Sequence, residues 1–103
     1  MNKNKIIEKI KNIISNYGAF GSGEIEQDGG TYSPCVASMG PYVSLAEYFT
    51  KDAVEVNIYD PEGFSSDAME TYELTYEELK ISTLKEVLKL AKGYEKIQEE
   101  ENA

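Results

Sequence analysis

The sequence predicts an α+β fold: an N-terminal helix, an antiparallel sheet of three or four strands and a C-terminal helix, with both helices on one face of the sheet. Two observations support this prediction. Near both ends of the chain, apolar residues recur at three- and four-residue intervals, as in amphipathic helices, whereas in the middle they alternate with polar residues, as in half-buried strands. At 103 residues, the chain is expected to form a single domain over 1–103, with a frayed tail at 98–103.

The first predicted element is an amphipathic helix that ends at Gly18, a residue typical of helix C-termini. Lysines lie on its polar side and are expected to be solvated. Its apolar stripe comprises Ile6, Ile7, Ile10, Ile13, Ile14 and Tyr17.

The following segment, 18–41, is rich in glycine and also contains Pro34 and Pro41. A short strand is predicted over 20–26, followed by a turn at 27–30 and a second strand at 32–39. A mobile loop is the alternative interpretation of the whole segment.

The pattern becomes clearer from Tyr42 onward. The segment 42–49 is apolar on both sides, which is typical of a central strand, and 50–52 would join it to the next strand. In that strand Val54, Val56 and Ile58 alternate with polar residues, which predicts one buried and one exposed face. A turn at 60–63, with Pro in its second position and Gly in its fourth, would lead to a further strand at 68–74.

The last quarter of the chain is predicted to be helical. Thr75 with Glu78, and Thr83 with Glu86, both fit the capping-box pattern, which indicates a short turn of helix followed by a longer helix. The buried stripe of the longer helix is expected to contain Leu84, Val87, Leu88, Ala91 and Tyr94.

The charges of the chain are strongly segregated. All ten basic residues are lysine, and residues 12–79 contain thirteen acidic residues against Lys51 alone, a net charge of −12. A field of one sign repels nucleic acid and attracts basic surfaces, so we expect a basic protein partner and no direct nucleic-acid binding. The absence of histidine and arginine removes the usual general base and the bidentate ligand for phosphate, and no cofactor is expected.

Three short patterns have a possible chemical meaning. Cys35 has no histidine to activate it, so a buried structural thiol is preferred over a nucleophile. The acids Asp60, Glu62 and Asp67 lack the spacing of a calcium loop and are interpreted as a solvated turn, so no metal site is predicted. The segment 21–23, Gly-Ser-Gly, lacks the remaining residues of a phosphate-binding loop.

The strongest candidate for a functional surface is the exposed face of the sheet. If Val54 and Val56 face the helices, Glu55 and Tyr59 face away from them, together with Tyr48 or Tyr42 from the neighbouring strand. Tyrosine supplies contact area at a low entropic cost, and carboxylates attract a basic partner. The alternative is that these tyrosines only cover a half-exposed sheet.

Two features lie within the stretch 42–95: Glu-Tyr-Phe at 47–49, and the pattern Tyr76, Leu79, Leu84, Val87, Leu88, Leu90, Ala91, Tyr94 and Glu95. Through them the stretch resembles small uncharacterised proteins of gut anaerobes of the Bacteroides group, some of them carried on mobile elements. The resemblance implies no activity and no site residues.

Together these features favour a non-enzymatic, acidic protein-interaction module that binds a basic protein, in its narrower form as a nucleic-acid mimic or inhibitor. The alternative is a structural homo-oligomer, such as a homodimer, that pairs through the outward sheet face; a small hydrolase or transferase is the third option. No apolar run approaches the roughly 20 residues of a membrane span, so no membrane association is expected and a cytoplasmic location is predicted.

Overall fold

A computed structural model describes residues 2–27, 30–63 and 67–101. Helix α1 (Lys3–Tyr17) begins where Asn2 Oδ1 accepts a hydrogen bond from the backbone N–H of Lys5 at 2.9 Å. It ends at Gly18, which has a φ of 98° and donates its N–H to the carbonyl of Ile14 at 2.7 Å. Because a residue with a side chain is strained at this φ, glycine is well suited to the position, and the predicted helix end is confirmed.

The predicted continuous strand at 20–26 is wrong. The structure has a short strand β1 (Phe20–Gly21), one turn of 3-10 helix (Ser22–Glu24) and a short strand β2 (Glu26–Gln27). The Glu24 carboxylate accepts the backbone N–H of Gly21 at 2.9 Å, and this local bond favours the turn over an extended chain. Strand β2 pairs with β3 (Gly30–Thr31), as the predicted turn at 27–30 requires, although residues 28 and 29 lie outside the described residues.

The second predicted strand, 32–39, is shorter in the structure, where β4 covers Cys35–Met39. Residues 32–34 are not in a strand, and the carbonyl of the buried Pro34 accepts the N–H of Ala46 at 2.9 Å. Gly40, with a φ of 59°, and Pro41 connect β4 tightly to the next strand, since Met39 and Tyr42 are paired. Glycine followed by proline suits a two-residue hairpin turn, because only the first position needs a positive φ.

Strand β5 (Tyr42–Phe49) is central, as predicted. It pairs with β4 and β1 along one edge and with β6 (Val54–Tyr59) along the other, and β7 (Glu70–Leu74) lies beyond β6. These five strands are antiparallel. The predicted turn at 60–63 is present, with the N–H of Gly63 bonded to the carbonyl of Asp60 at 2.9 Å.

The C-terminal region confirms one predicted cap and contradicts the other. Thr75 and Glu78 form the capping box of a short 3-10 helix (Tyr76–Glu78). Helix α2 (Ile81–Glu101) begins before Thr83, which is 5% exposed and lies inside the helix, so its predicted capping role is wrong. The N–H of Leu84 bonds to the carbonyl of Lys80 at 2.9 Å, so the first helical turn starts earlier than the capping pattern indicates. Residues 98–101 of the expected frayed tail are helical.

Both helices pack on one face of the sheet, here called the inner face, and α1 also packs against α2. Val54 and Val56 are fully buried, which confirms the predicted parity of β6. The Phe20 ring lies between those of Phe49 and Tyr94, with centroids 4.9 and 5.0 Å away. The core also contains the isoleucines of α1, the predicted stripe of α2, Ala46, Leu79 and Tyr76, whose hydroxyl donates to the carbonyl of Thr50 at 2.6 Å.

Candidate functional site

A β-bulge in β5 decides which side chains lie on each face of the sheet. The pairing of β5 with β6 is interrupted between Ala46 and Tyr48, so Glu47 is an extra residue. Ala46 pairs with the buried Val56, whereas Tyr48 pairs with Glu55, whose neighbours along β6 face the core. Ala46 and Tyr48 therefore lie on opposite faces of the sheet, because one extra residue reverses the alternation of a strand.

This bulge separates the four predicted site residues. Tyr48, Glu55 and Tyr59 share the outer face, as predicted. Tyr42 does not join them: it pairs with Met39 and shares the parity of Ala46, so it lies on the inner face, beyond the part that the helices cover. Its predicted placement on the outer face is wrong because continuous alternation from Tyr42 to Tyr48 ignores the bulge.

A chain of hydrogen bonds crosses the outer face over three strands. The Tyr59 hydroxyl donates to Glu47 Oε2 at 2.6 Å, and the Asn57 amide donates to the same oxygen. The Thr71 hydroxyl donates to Asn57 Oδ1 at 2.6 Å. The hydrogen bond to the Glu47 carboxylate raises the pKa of Tyr59 to about 12, because the bond is lost when the phenol ionises; partial burial and the charge of the carboxylate add to the shift. At neutral pH, Tyr59 is therefore a hydrogen-bond donor.

Like charges face each other on this surface. Glu55 on β6 lies directly opposite Glu73 on β7, and like charges in such a cross-strand pair are destabilising. None of the five sheet strands contains a lysine. Within the described part of the chain, Glu47, Glu55 and Glu73 form no ion pair, whereas Glu77 lies 3.9 Å from Lys11. We call Glu47, Tyr48, Glu55, Tyr59 and Glu73 together the acidic face.

Cys35 is exposed, so the prediction of a buried thiol is wrong. It pairs with Leu45 at the start of β4, an edge strand, and its Sγ lies 3.4 Å from Ser38 Oγ and 3.6 Å from the carbonyl of Ala37. The neighbouring Pro34 occupies the buried position instead. The polarity of these residues does not reveal that Pro34 is buried and Cys35 exposed, because proline and cysteine both occur inside and outside folded chains.

Other predicted patterns assemble no further site in the part of the chain described. Over residues 2–27, 30–63 and 67–101, no group of three or more acidic, cysteine or histidine side chains is arranged to hold a metal ion. The segment 21–23 enters a single 3-10 turn rather than a long helix, so it lacks the helix N-terminus of a phosphate-binding loop. Neither described helix has the length and apolar character needed to cross a membrane.

A second surface lies at the opposite side of the sheet, around Tyr42. It is an open groove of about 500 Å³ at the end of the inner face, beside the turn after β4 and Met69, which precedes β7. We call it the apolar groove, and its lining residues are Ala37, Met39, Tyr42, Ser44, Ile58, Met69, Glu70 and Tyr72.

Reasoning from sequence missed Glu47 and Glu73 on the acidic face and the whole of the groove; Tyr42 was predicted as a site residue, but on the outer face. Glu47 has no signal in the sequence: residues 43–49 of β5 pair with the six residues of β6, but a longer strand can equally extend past its partner without a bulge. Glu73 and the groove depend on which strand lies next to which, and the residues themselves carry no signal for this. Comparison with models of known families, with curated proteins and with solved structures found no match, so the resemblance to the Bacteroides-group proteins stays a prediction.

Proposed function

We propose that the chain is a non-enzymatic protein-interaction module whose acidic face binds a basic surface of a partner protein in the cytoplasm. The observation that carries this proposal is the Glu55–Glu73 pair, two like charges opposed across adjacent strands without a lysine on the sheet. Such a pair costs folding free energy, and a basic partner would relieve the repulsion. Because the Glu55–Glu73 pair costs folding free energy, a purely structural role explains its presence poorly.

The tyrosines supply the contact area that such an interface needs. Tyr48 is 41% exposed and lies opposite Glu55, so its ring is available beside the carboxylate. Tyr59 is held by Glu47 in a single orientation, which lowers the entropy lost when a partner binds. Aromatic anchors next to charges that attract the partner are typical of protein-binding surfaces.

Two other functions would use the same acidic face. A nucleic-acid mimic is the narrower form of the proposal, in which the carboxylates occupy the phosphate sites of a nucleic-acid-binding protein. A homodimer through this face is disfavoured, because it would bring two sets of Glu47, Glu55 and Glu73 together. Light scattering at low and high salt distinguishes a homodimer from charge-driven binding of another protein. Dimerisation through apolar contacts persists at high salt, whereas charge-driven binding weakens.

The test compares three forms of the protein as baits for affinity capture from the source cell. Glu55→Lys reverses one charge of the acidic face and creates an attractive pair with Glu73, so lost binding cannot be attributed to a weakened fold. Glu8→Lys makes the same change in net charge at an exposed position on α1.

We expect the unmodified and Glu8→Lys proteins to capture the same basic protein and Glu55→Lys to lose it. The affinity of the captured partner should fall about tenfold or more with Glu55→Lys, and also with Tyr48→Ala. Equal capture by all three baits, or a partner that is not basic, would rule out the acidic face as the binding surface.

A further inference from the structure

The helices cover only part of the inner face of the sheet. Cross-strand rows run from β5 through β6 to β7, and the rows Phe49–Val54–Leu74 and Ala46–Val56–Tyr72 contribute to the core. The next row, Ser44–Ile58–Glu70, lies in the apolar groove, where its residues are half-buried or exposed. The helical layer therefore stops before the sheet does.

The groove exposes more apolar surface than an isolated side chain would. Met39 is 82% exposed, Met69 60% and Tyr42 42%, and all three line it. A contiguous apolar patch with polar surroundings is typical of an interaction site, and methionine adapts its shape to different partners. Such openness does not suit a small molecule, which binding pockets enclose over most of its surface.

The shape of the groove matches a helix. It is lined from all four strands β4, β5, β6 and β7, which at 4.7–4.9 Å per strand gives a width of roughly 14 Å, enough for one helix of about 10–12 Å diameter. A peptide strand would instead add to a sheet edge through its main chain. A helix in the groove would continue the layer that α1 and α2 already form.

The charge around the groove identifies the chemistry of this helix. Glu70 lines the groove, and Asp60 and Glu62 follow β6 at the same end of the sheet. None of the five sheet strands contains a lysine. A complementary helix therefore has an apolar face with lysine or arginine along its borders.

A second copy of this chain does not meet this requirement. Both of its long helices carry lysines, but their apolar faces are buried in the core of their own subunit. Its own groove and sheet are acidic, so two grooves would repel each other. The partner is thus a different protein with a free amphipathic helix.

We propose that the apolar groove binds a basic amphipathic helix of a partner protein. Apolar residues at positions i, i+3 or i+4, and i+7 would contact Met39, Ile58 and Met69, and a lysine or arginine beside them would approach Glu70. This site is on the opposite side of the sheet from the acidic face and does not depend on it.

The test uses a synthetic helical peptide of about five turns, with leucine on one face and lysine on the other, and amide NMR shifts and fluorescence anisotropy as readouts. Its control is a peptide of the same composition in scrambled order. We expect the ordered peptide to shift the groove amides, and Met39→Lys and Met69→Lys each to raise Kd about tenfold. Ile81→Lys, which changes an exposed apolar residue outside the groove, should leave Kd within about twofold of the unmodified protein.

Charge is tested separately. Glu70→Lys should raise Kd about tenfold, whereas Glu8→Lys, with the same change in net charge, should not. Glu55→Lys should also leave peptide binding unchanged, which keeps this result independent of the acidic face. The proposal is overturned if the ordered peptide does not bind, if the scrambled peptide binds equally well, or if Glu8→Lys weakens binding as much as Glu70→Lys does. If the protein forms a homodimer and Met39→Lys abolishes that dimer, the groove binds a second copy of the chain instead.

Discussion

Tyr59 and Glu47 are the most closely coupled residues of the acidic face. Their side chains meet at 2.6 Å, and Asn57 donates to the same carboxylate oxygen. The contact depends on the bulge that turns Glu47 toward Asn57 and Tyr59. The Glu47 carboxylate accepts the phenol proton in a hydrogen bond and opposes its loss.

Glu47→Gln should lower the pKa of Tyr59 from about 12 toward its ordinary value of 10. Above pH 10 the unfolded chain releases a proton that native Tyr59 retains until about pH 12, so the native state loses stability across this range. Because the substitution brings the native pKa of Tyr59 closer to its unfolded value, it should make that loss of stability smaller. Tyrosinate absorbance measures the titration, with Tyr59→Phe used to subtract the other tyrosines; an unchanged titration in Glu47→Gln would contradict the assigned cause.

At the scale of elements, two glycines at helices have opposite roles. Gly18 ends α1 with a φ of 98°, where a side chain would be strained. Gly93 lies inside α2, and a Cβ added there would be 3.4 Å from Ile25 Cγ2, an ordinary van der Waals contact. Of these two glycines, only Gly18 is therefore required by the backbone.

Gly93→Ala should raise the free energy of unfolding by about 0.5–1 kcal/mol, because alanine loses less backbone entropy in a helix. Gly18→Ala should lower it by about 1–3 kcal/mol through backbone strain. Urea denaturation of both variants measures the two effects. A destabilised Gly93→Ala would show that Ile25 cannot accommodate the added methyl group.

At the scale of the whole molecule, the sheet folds despite its own charge. The chain carries a net charge of −9, and its lysines lie outside the sheet strands. Lys11 Nζ lies 3.9 Å from Glu77 Oε1, and this pair joins α1 to the 3-10 helix Tyr76–Glu78. Neither residue belongs to the acidic face. Added salt should therefore stabilise the protein by screening this repulsion.

Glu73→Lys should raise stability by about 0.2–1 kcal/mol at low salt, since it replaces a like-charge pair with an attractive one. It should also reduce the increase of Tm with salt. The matched control is the double variant Glu55→Lys with Glu73→Lys, which opposes two lysines and should lose the gain. Thermal unfolding at low and high salt measures both; an equal gain in the single and double variants would attribute it to net charge alone.

Much of the fold could be predicted because it depends on residues close in sequence. The stripe of α1, the alternation of Val54 and Val56, and the capping box of Thr75 with Glu78 involve spacings of two to four residues. Such patterns reflect backbone geometry that forms locally. They determined the two helices, the central strands and the outward direction of Glu55.

Contacts between distant segments decided the rest. Tyr42 and Tyr48 lie on opposite faces because β5 pairs with the shorter β6 through a bulge, and Glu73 opposes Glu55 because β7 pairs with β6. The groove exists because the helices end before the sheet does. The sequence by itself determined an acidic α+β protein with Glu55 and Tyr59 directed outward. The other side chains that accompany them were decided by the strand register and by the extent of the helical layer, because both arise only when remote residues pack.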